Sequence, residues 1–303
     1  MATMKQFLMC LCLFAAIPAC SKVEDNADYI PEYKTPDSGG ETTSDTLGSN
    51  QVKVISFNIR VGTSDGGTSN AWDIRKVGIP VMFKKENPTV FGLQEALLMQ
   101  MNYLRSNLSD YEGIGVGRED GKDAGEFMGI FYKKSLVTLD SWGTFWLSPT
   151  PDVPSIGWDA AYKRSATWAI FTLKKSGKKF FYLNTHLDQK GTLARKNGLL
   201  LICDKMKELN PSGYPALLTA DFNSTIDDSI FDCVKAVMMD ARSTALKTDN
   251  QPSFNGWGTS YSIIDHIFYS GWTAKVFRTI QDRYEGVDFL SDHYPVSAVL
   301  EFK

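Results

Sequence analysis

The chain has 303 residues, 22% of them charged, and a formal net charge of −3. So acidic a balance lacks the Lys/Arg excess that gives duplex-binding proteins their phosphate affinity, which counts against nucleic acid as the main partner. Of five cysteines only Cys203 and Cys233 fall outside the first twenty residues, and two thiols with three histidines lacking zinc-like spacing argue against a structural zinc site.

In chain order, the N-terminus is unlike the rest. Lys5 precedes an apolar run over 7–19 that ends Ile17-Pro18-Ala19-Cys20. The run is shorter than the roughly 20 residues a membrane-spanning helix needs. A basic start, a short apolar core and small residues before a cut point describe a secretory signal. Cys20 at the cut is the expected lipidation site, although Pro18 is unusual there. Residues 21–50 are rich in Ser, Thr, Asp, Glu, Gly, Asn and Pro, a composition that buries too little surface to offset ordering entropy. The expected organisation is therefore a lipoprotein signal peptide (1–20), a flexible tether (21–50) and one catalytic domain (51–303). The protein is expected to be exported and lipid-anchored to a bacterial membrane, periplasmic or at the cell surface, and monomeric.

Within that domain, β-branched and apolar runs predict strands over 52–59, 90–93, 128–132, 167–173, 180–184, 216–220, 263–269 and 296–302. Apolar spacing near 3.6 predicts helices over 73–85, 97–108, 193–209 and 229–238. Helices between strands give an α/β or mixed-sheet domain. Cys203 falls on the apolar face of the third helix, with Leu199, Leu200 and Met206, and is expected as a buried free thiol. An exported protein permits a Cys203–Cys233 disulfide, but the spacing does not argue for one.

Six strands pass abruptly from apolar runs to polar groups. Asn58, Glu95, His186 and the pair Asp221 and Asn223 each follow such a run; Asp265 interrupts one, and Asp292-His293 precede the last. One polar strand end is ordinary turn or cap chemistry. Six of them, if gathered at one rim, form a carboxylate-rich pocket with two imidazoles. Its oxygens suit a hard cation such as Mg²⁺, with Mn²⁺ or Ca²⁺ as alternatives.

The segments SFNIR (56–60), LQEA (93–96), NTHLD (184–188), ADFNS (220–224), IDHIF (264–268) and SDHYPV (291–296) together resemble the endonuclease/exonuclease/phosphatase superfamily, over essentially all of 52–303. Asn70-Ala71-Trp72-Asp73, Gly115-Val116-Gly117-Arg118, Gly125-Glu126-Phe127 and Ala166-Thr167-Trp168 look like an exported bacterial branch of it. The resemblance implies a four-layer α/β sandwich of two mixed β-sheets flanked by helices (DNase I-like), with the active site at one rim. It also implies roles. Glu95 would ligate the metal directly, with Asn58 and Asp292 assisting. Asp221 would align or deprotonate water, Asn223 and His186 would contact phosphoryl oxygens, and His293 would sit against the scissile phosphate, oriented by Asp265. Nucleases of the apurinic-site type carry an Asp where this chain has Arg60, which counts against that role. His266 alternates away from Asp265 on its strand and is expected to be packed or at the surface.

Arg118, Glu126, Arg164, Asp188, Lys190 and Arg195 fall in segments that should border the rim, where basic groups would hold a second phosphate or an acidic group or serve as surface charges and structural pairs. Trp158 and Trp257 sit in Gly-rich loops, placed either to stack on a base or sugar or to plug a loop. The substrate readings are a small phosphorylated molecule, a phospholipid headgroup and extracellular nucleic acid, in that order. A catalytically inactive binding lipoprotein is the non-enzyme reading, disfavoured because no member of the constellation is missing. A serine- or zinc-dependent hydrolase lacks the Gly-x-Ser-x-Gly elbow and the helical His pair it would need.

Overall fold

The computed structural model describes residues 47–303. The expected signal peptide, its Cys20 and nearly all of the tether lie outside the described residues. No described helix is long and apolar enough to cross a membrane.

In chain order the strands are β1 (Gln51–Asn58), β2 (Val90–Gln94), β3 (Tyr111–Ile114), β4 (Ile130–Lys133), β5 (Val137–Trp146) and β6 (Ser165–Leu173), then β7 (Lys179–His186), β8 (Ala216–Asp221), β9 (Met239–Asp240), β10 (Asp265–Ser270), β11 (Trp272–Thr279) and β12 (Val296–Phe302). The helices are α1 (Trp72–Arg75), α2 (Gly78–Glu86), α3 (Leu98–Asn107), α4 (Thr192–Leu209), α5 (Asp232–Lys235) and α6 (Ala241–Thr244). Two mixed sheets result, ordered β11-β12-β1-β2-β4-β3 and β5-β6-β7-β8-β10-β9. Each has one parallel pair at its centre, β1/β2 and β7/β8, flanked by antiparallel neighbours.

Side-chain alternation along the strands sets the layers. On β1, Val52 and Val54 enter the core between the sheets, with Tyr182, Leu217, Ile267 and Val296. Ile55 and Phe57 point the other way, against Met82 and Phe83 of α2 and Leu104 of α3. On the second sheet, Phe181, Leu183 and Leu218 face Leu199, Ile202 and Cys203 of α4. The order of layers is helix, sheet, sheet, helix, as the resemblance implied.

The expected helix over 73–85 is broken into α1 and α2. Pro80 is the third residue of α2, within the first turn, where a missing N–H costs little. The expected helix over 229–238 shrinks to a 3₁₀ turn, Ser229–Phe231, and the four-residue α5.

Towards one rim the inter-sheet core turns polar. The Gln94 amide donates to Ser56 Oγ at 3.1 Å and Asn184 Oδ1 at 2.7 Å. The Asn184 amide in turn donates to the Leu93 and Gly129 carbonyls, and Thr219 Oγ1 to Asn184 Oδ1. Gly92 is required by this approach: a Cβ there would meet Asn184 Oδ1 at 2.4 Å and the Tyr182 hydroxyl at 2.5 Å. This layer is a fully buried floor under the groups described next.

Candidate active site

Sheet topology gathers the six polar strand ends. In the parallel pairs, Asn58 lies opposite Gln94 and His186 opposite Asp221, so four strands deliver their C-terminal ends to one rim. β10 runs antiparallel to β8 and therefore starts there, with Asp265 opposite Asp221. β12 runs antiparallel to β1, which brings the preceding Asp292 and His293 to the same place. The turns out of the strands are tight: Arg60, Glu95 and Asn223 adopt φ of 59°, 62° and 51°. For non-glycine residues such backbone is strained by about 1–3 kcal/mol each and clusters at functional sites.

Asn58, fully buried, is the hub. Its amide nitrogen donates to Glu95 Oε1 at 3.0 Å and to Asp221 Oδ2 at 2.9 Å, and lies 3.5 Å from His293 Nε2. Its oxygen accepts from the Arg60 N–H. The second Glu95 oxygen accepts from the Val61 N–H. Asp221 Oδ1 accepts from the Asn223 N–H at 2.9 Å. The Asn223 amide lies 3.0 Å from His186 Nε2 and donates to the Leu187 carbonyl. His293 Nδ1 lies 2.8 Å from Asp265 Oδ2, and its Nε2 faces Asp221 Oδ2 at 3.6 Å.

Burial and mutual charge shift these groups. Burial pushes the Asp221 carboxyl up to about 7; repulsion from Asp265 adds to this, and the nearby His293 opposes it. Burial would lower His293, but Asp265 and Asp221 outweigh it and raise the imidazole to about 10. His186 is held well below its ordinary value, first by burial and then by the Arg164 and Arg118 guanidiniums. Asp292 is raised by burial, with Arg60 and His293 opposing and Glu95 adding.

These residues open onto a cavity of about 600 Å³. Glu95, Asp292, His293, Asp221, Asn223 and His186 line it together with Arg118, Glu126 and Arg164. Asn58 and Asp265 stand behind the wall. Arg118 pairs with Glu126 at 2.6 Å and Arg164 with Asp188 at 3.2 Å. Asp188 and Arg195 support from outside the lining; the Arg195 guanidinium donates to the Asp188 carbonyl. Trp257 also lies outside the lining and packs on Phe289 and beside Arg75. Lys190 is exposed and Trp158 half-buried. His266 is packed among Phe222, Phe231 and Phe268.

Two groups of side chains are candidates to hold a cation. Ligand atoms of Asp221, Asp265 and His293 lie within 4.8 Å of one another, but the hydrogen bond between the last two already occupies that space. Glu95 and Asp292 place carboxylate oxygens on the cavity wall. Asp292 has Arg60 as its ion-pair partner, at 3.3 Å. Carboxylate oxygens of this kind are hard donors that suit a divalent cation.

Several contributors carry no motif. Arg75, fully buried, donates to the carbonyls of Ile59, Arg60 and Leu290, tying the segment after β1 to the segment before His293. Gln100 accepts from the Gly62 N–H and donates to the Arg60 carbonyl. Tyr162, Gln189, Phe254, Ser262 and Ile264 line the cavity. Only the finished fold brings them there; an Arg or Gln on a helix gives no such signal by itself.

A four-layer sandwich with carboxylate, amide and imidazole groups converging at one rim defines a class of hydrolases. The chain belongs to the Endonuclease/Exonuclease/phosphatase family, whose model matches residues 55–293. A solved family protein from Bacteroides thetaiotaomicron is 36% identical, with a TM-score of 0.80 over 84% of this chain and 98% of that one. The solved mannosyl-6-phosphatase of Bacteroides thetaiotaomicron VPI-5482 is 36% identical, with a TM-score of 0.79 over 83% of this chain and all of its own (100%). An uncharacterised protein of Acanthamoeba polyphaga mimivirus is 28% identical over 274 residues, 82% of this chain and 100% of its own. Human Nocturnin, at 16% identity and a TM-score of 0.67, shares the fold.

Proposed function

We propose that this family hydrolase cleaves a phosphoester of a small, hydroxyl-rich molecule, with a sugar phosphate as the first candidate, in a divalent-cation-dependent reaction. The supporting observation is the make-up of the cavity. Its volume of about 600 Å³ lies in the range of small-molecule sites. Its lining includes Arg118, paired with Glu126, and Arg164, paired with Asp188 behind it. Each guanidinium has a carboxylate partner. The lining therefore presents donors and acceptors side by side, an arrangement that suits the hydroxyls of a sugar. The 36% identity to a mannosyl-6-phosphatase supports the same reading.

In-line attack on phosphorus needs an oriented water, neutralised non-bridging oxygens and help for the leaving oxygen. Glu95 and Asp292 would hold the cation, Mg²⁺ first, with the Asn58 amide nitrogen orienting the Glu95 carboxylate from behind. When bound, the cation supplies Lewis-acid neutralisation of phosphoryl charge. Asp221 would orient the attacking water and take its proton at a carboxylate oxygen. His186 and Asn223 would hold phosphoryl oxygens. His293, fixed by Asp265, would face the scissile phosphate. We also propose export through residues 1–20, with acylation of Cys20 and residues 21–50 as the tether.

Phosphate release from a panel of hexose 6-phosphates and nucleotides, alongside strand cleavage of short oligonucleotides followed by gel or chromatography, tests the substrate class. Turnover of hexose phosphates at least about tenfold above the others is expected; preference for oligonucleotides would reject the reading.

A further inference from the structure

Cys203 and Cys233 take no part in the phosphoester site, yet their sulfurs meet. Cys203 projects from α4 into the packing against the second sheet and is 8% exposed. Cys233 lies on α5 and is half-buried. The two Sγ atoms are 3.0 Å apart, with the Cys203 thiol donating to Cys233. Both thiols are free. They stand 30 positions apart, and the segment between them includes all of β8 and the turn after it, and so carries Asp221 and Asn223.

We propose that Cys203 and Cys233 form an oxidative cross-linking site, where a disulfide-bearing oxidant joins α4 to α5 and closes a loop around the Asp221–Asn223 segment. Cys233 is the more accessible sulfur, and the hydrogen bond from Cys203 lowers its thiol below the ordinary value. A thiolate is the attacking species in disulfide exchange. Cys233 thiolate attacks one sulfur of the oxidant, forming a mixed disulfide and releasing one thiolate. Cys203 loses its proton to water and attacks the Cys233 sulfur, releasing the second thiolate. Two protein thiols are oxidised and one oxidant disulfide is reduced to two thiols.

The cross-link would act on the unfolded chain by limiting its freedom over a loop that spans the catalytic turn. In the folded protein it would pin α5, which follows Asn223 closely in sequence, to the long crossover helix. An oxidising compartment, as export would provide, favours the linked form.

The test uses the full chain incubated with oxidised glutathione, alkylated and digested with trypsin without reduction. The Cys203 and Cys233 peptides are expected as one linked species, and dithiothreitol is expected to return both as alkylated peptides. Oxidation is expected to raise the melting temperature of the wild type by about 5 °C and to leave Cys203→Ser and Cys233→Ser unmoved. In Cys203→Ser the reaction should stop at a glutathione adduct on Cys233. Recovery of both peptides alkylated from oxidant-treated, folded wild type would overturn the proposal. So would a glutathione adduct that persists on wild-type Cys233.

Discussion

His293 Nδ1 lies 2.8 Å from Asp265 Oδ2, and both residues are at least nine-tenths buried. The ring is thereby held with Nε2 facing Asp221 Oδ2 at 3.6 Å. One carboxylate thus orients the imidazole while the other waits at the cavity. A carboxylate in the first position fixes ring tautomer and orientation, a role whose loss costs orders of magnitude in other hydrolases. Asp265→Asn is expected to lower kcat by about 10²-fold or more, with KM changed by less than about threefold. Steady-state kinetics on a purified, folded variant provides the check, and near wild-type kcat would remove Asp265 from the machinery.

Asp221→Ala and His293→Ala are each expected to lower kcat by about 10²-fold or more while circular dichroism stays native. Because the two act on one phosphoryl group, the double variant should lose far less than the product of the single losses. Multiplicative losses would show that they act independently.

Glu126→Gln keeps the shape of the cavity lining but weakens the acceptor beside Arg118. KM for a hexose phosphate should rise about tenfold, the size of one lost hydrogen bond to a charged group. KM for p-nitrophenyl phosphate, which has no hydroxyls to recognise, should stay within about twofold. Equal rises for both substrates would mean that the wall holds the phosphoryl group instead.

The buried polar floor predicts a stability effect far from any reacting atom. In Gly92→Ala the new methyl must displace Asn184 or Tyr182, which approach to 2.4–2.5 Å. Overpacking of this kind costs about 1–3 kcal/mol. Urea denaturation should register that loss, and an unchanged midpoint would contradict the close approach.

Asp188 gives a pH dependence. Burial would raise its carboxyl, but the Gly191 and Lys190 N–H groups, at 2.8 and 3.0 Å, outweigh this and hold it below the ordinary value. A depressed folded pKa contributes stability above the unfolded value of about 3.9, and loses it as pH falls through the folded value. The urea midpoint of the wild type should therefore fall more steeply below about pH 4 than that of Asp188→Asn. Parallel profiles would count against the carboxylate's role.

The eight strands legible from sequence are the interior strands of the two sheets. The four that escaped, β3, β5, β9 and β11, are the edge strands of those sheets. An edge strand has a neighbour on one side only and frequently shows side chains to solvent. β5 illustrates the result: Asp140, Ser141 and Trp142 are exposed in its middle, which breaks the apolar run that marks a buried strand. The site divides similarly. Asn58, Glu95, His186, Asp221, Asp265 and His293 were visible because each ends or begins an interior strand. Arg75 and Gln100 were not, since their partners are backbone carbonyls and N–H groups that only the folded chain brings near. Trp257 had a Gly-rich context but packs on Phe289 outside the cavity lining.

The most direct measurement is hydrolysis of p-nitrophenyl phosphate and bis-p-nitrophenyl phosphate after EDTA treatment, then with Mg²⁺, Mn²⁺ or Ca²⁺ restored, with Asp221→Ala in parallel. Activity lost to EDTA, regained with a divalent cation and missing from Asp221→Ala is the expected result, and the monoester should be the better substrate. EDTA-resistant turnover, or restored turnover that survives in Asp221→Ala, would contradict a cation-dependent phosphoesterase built on this site.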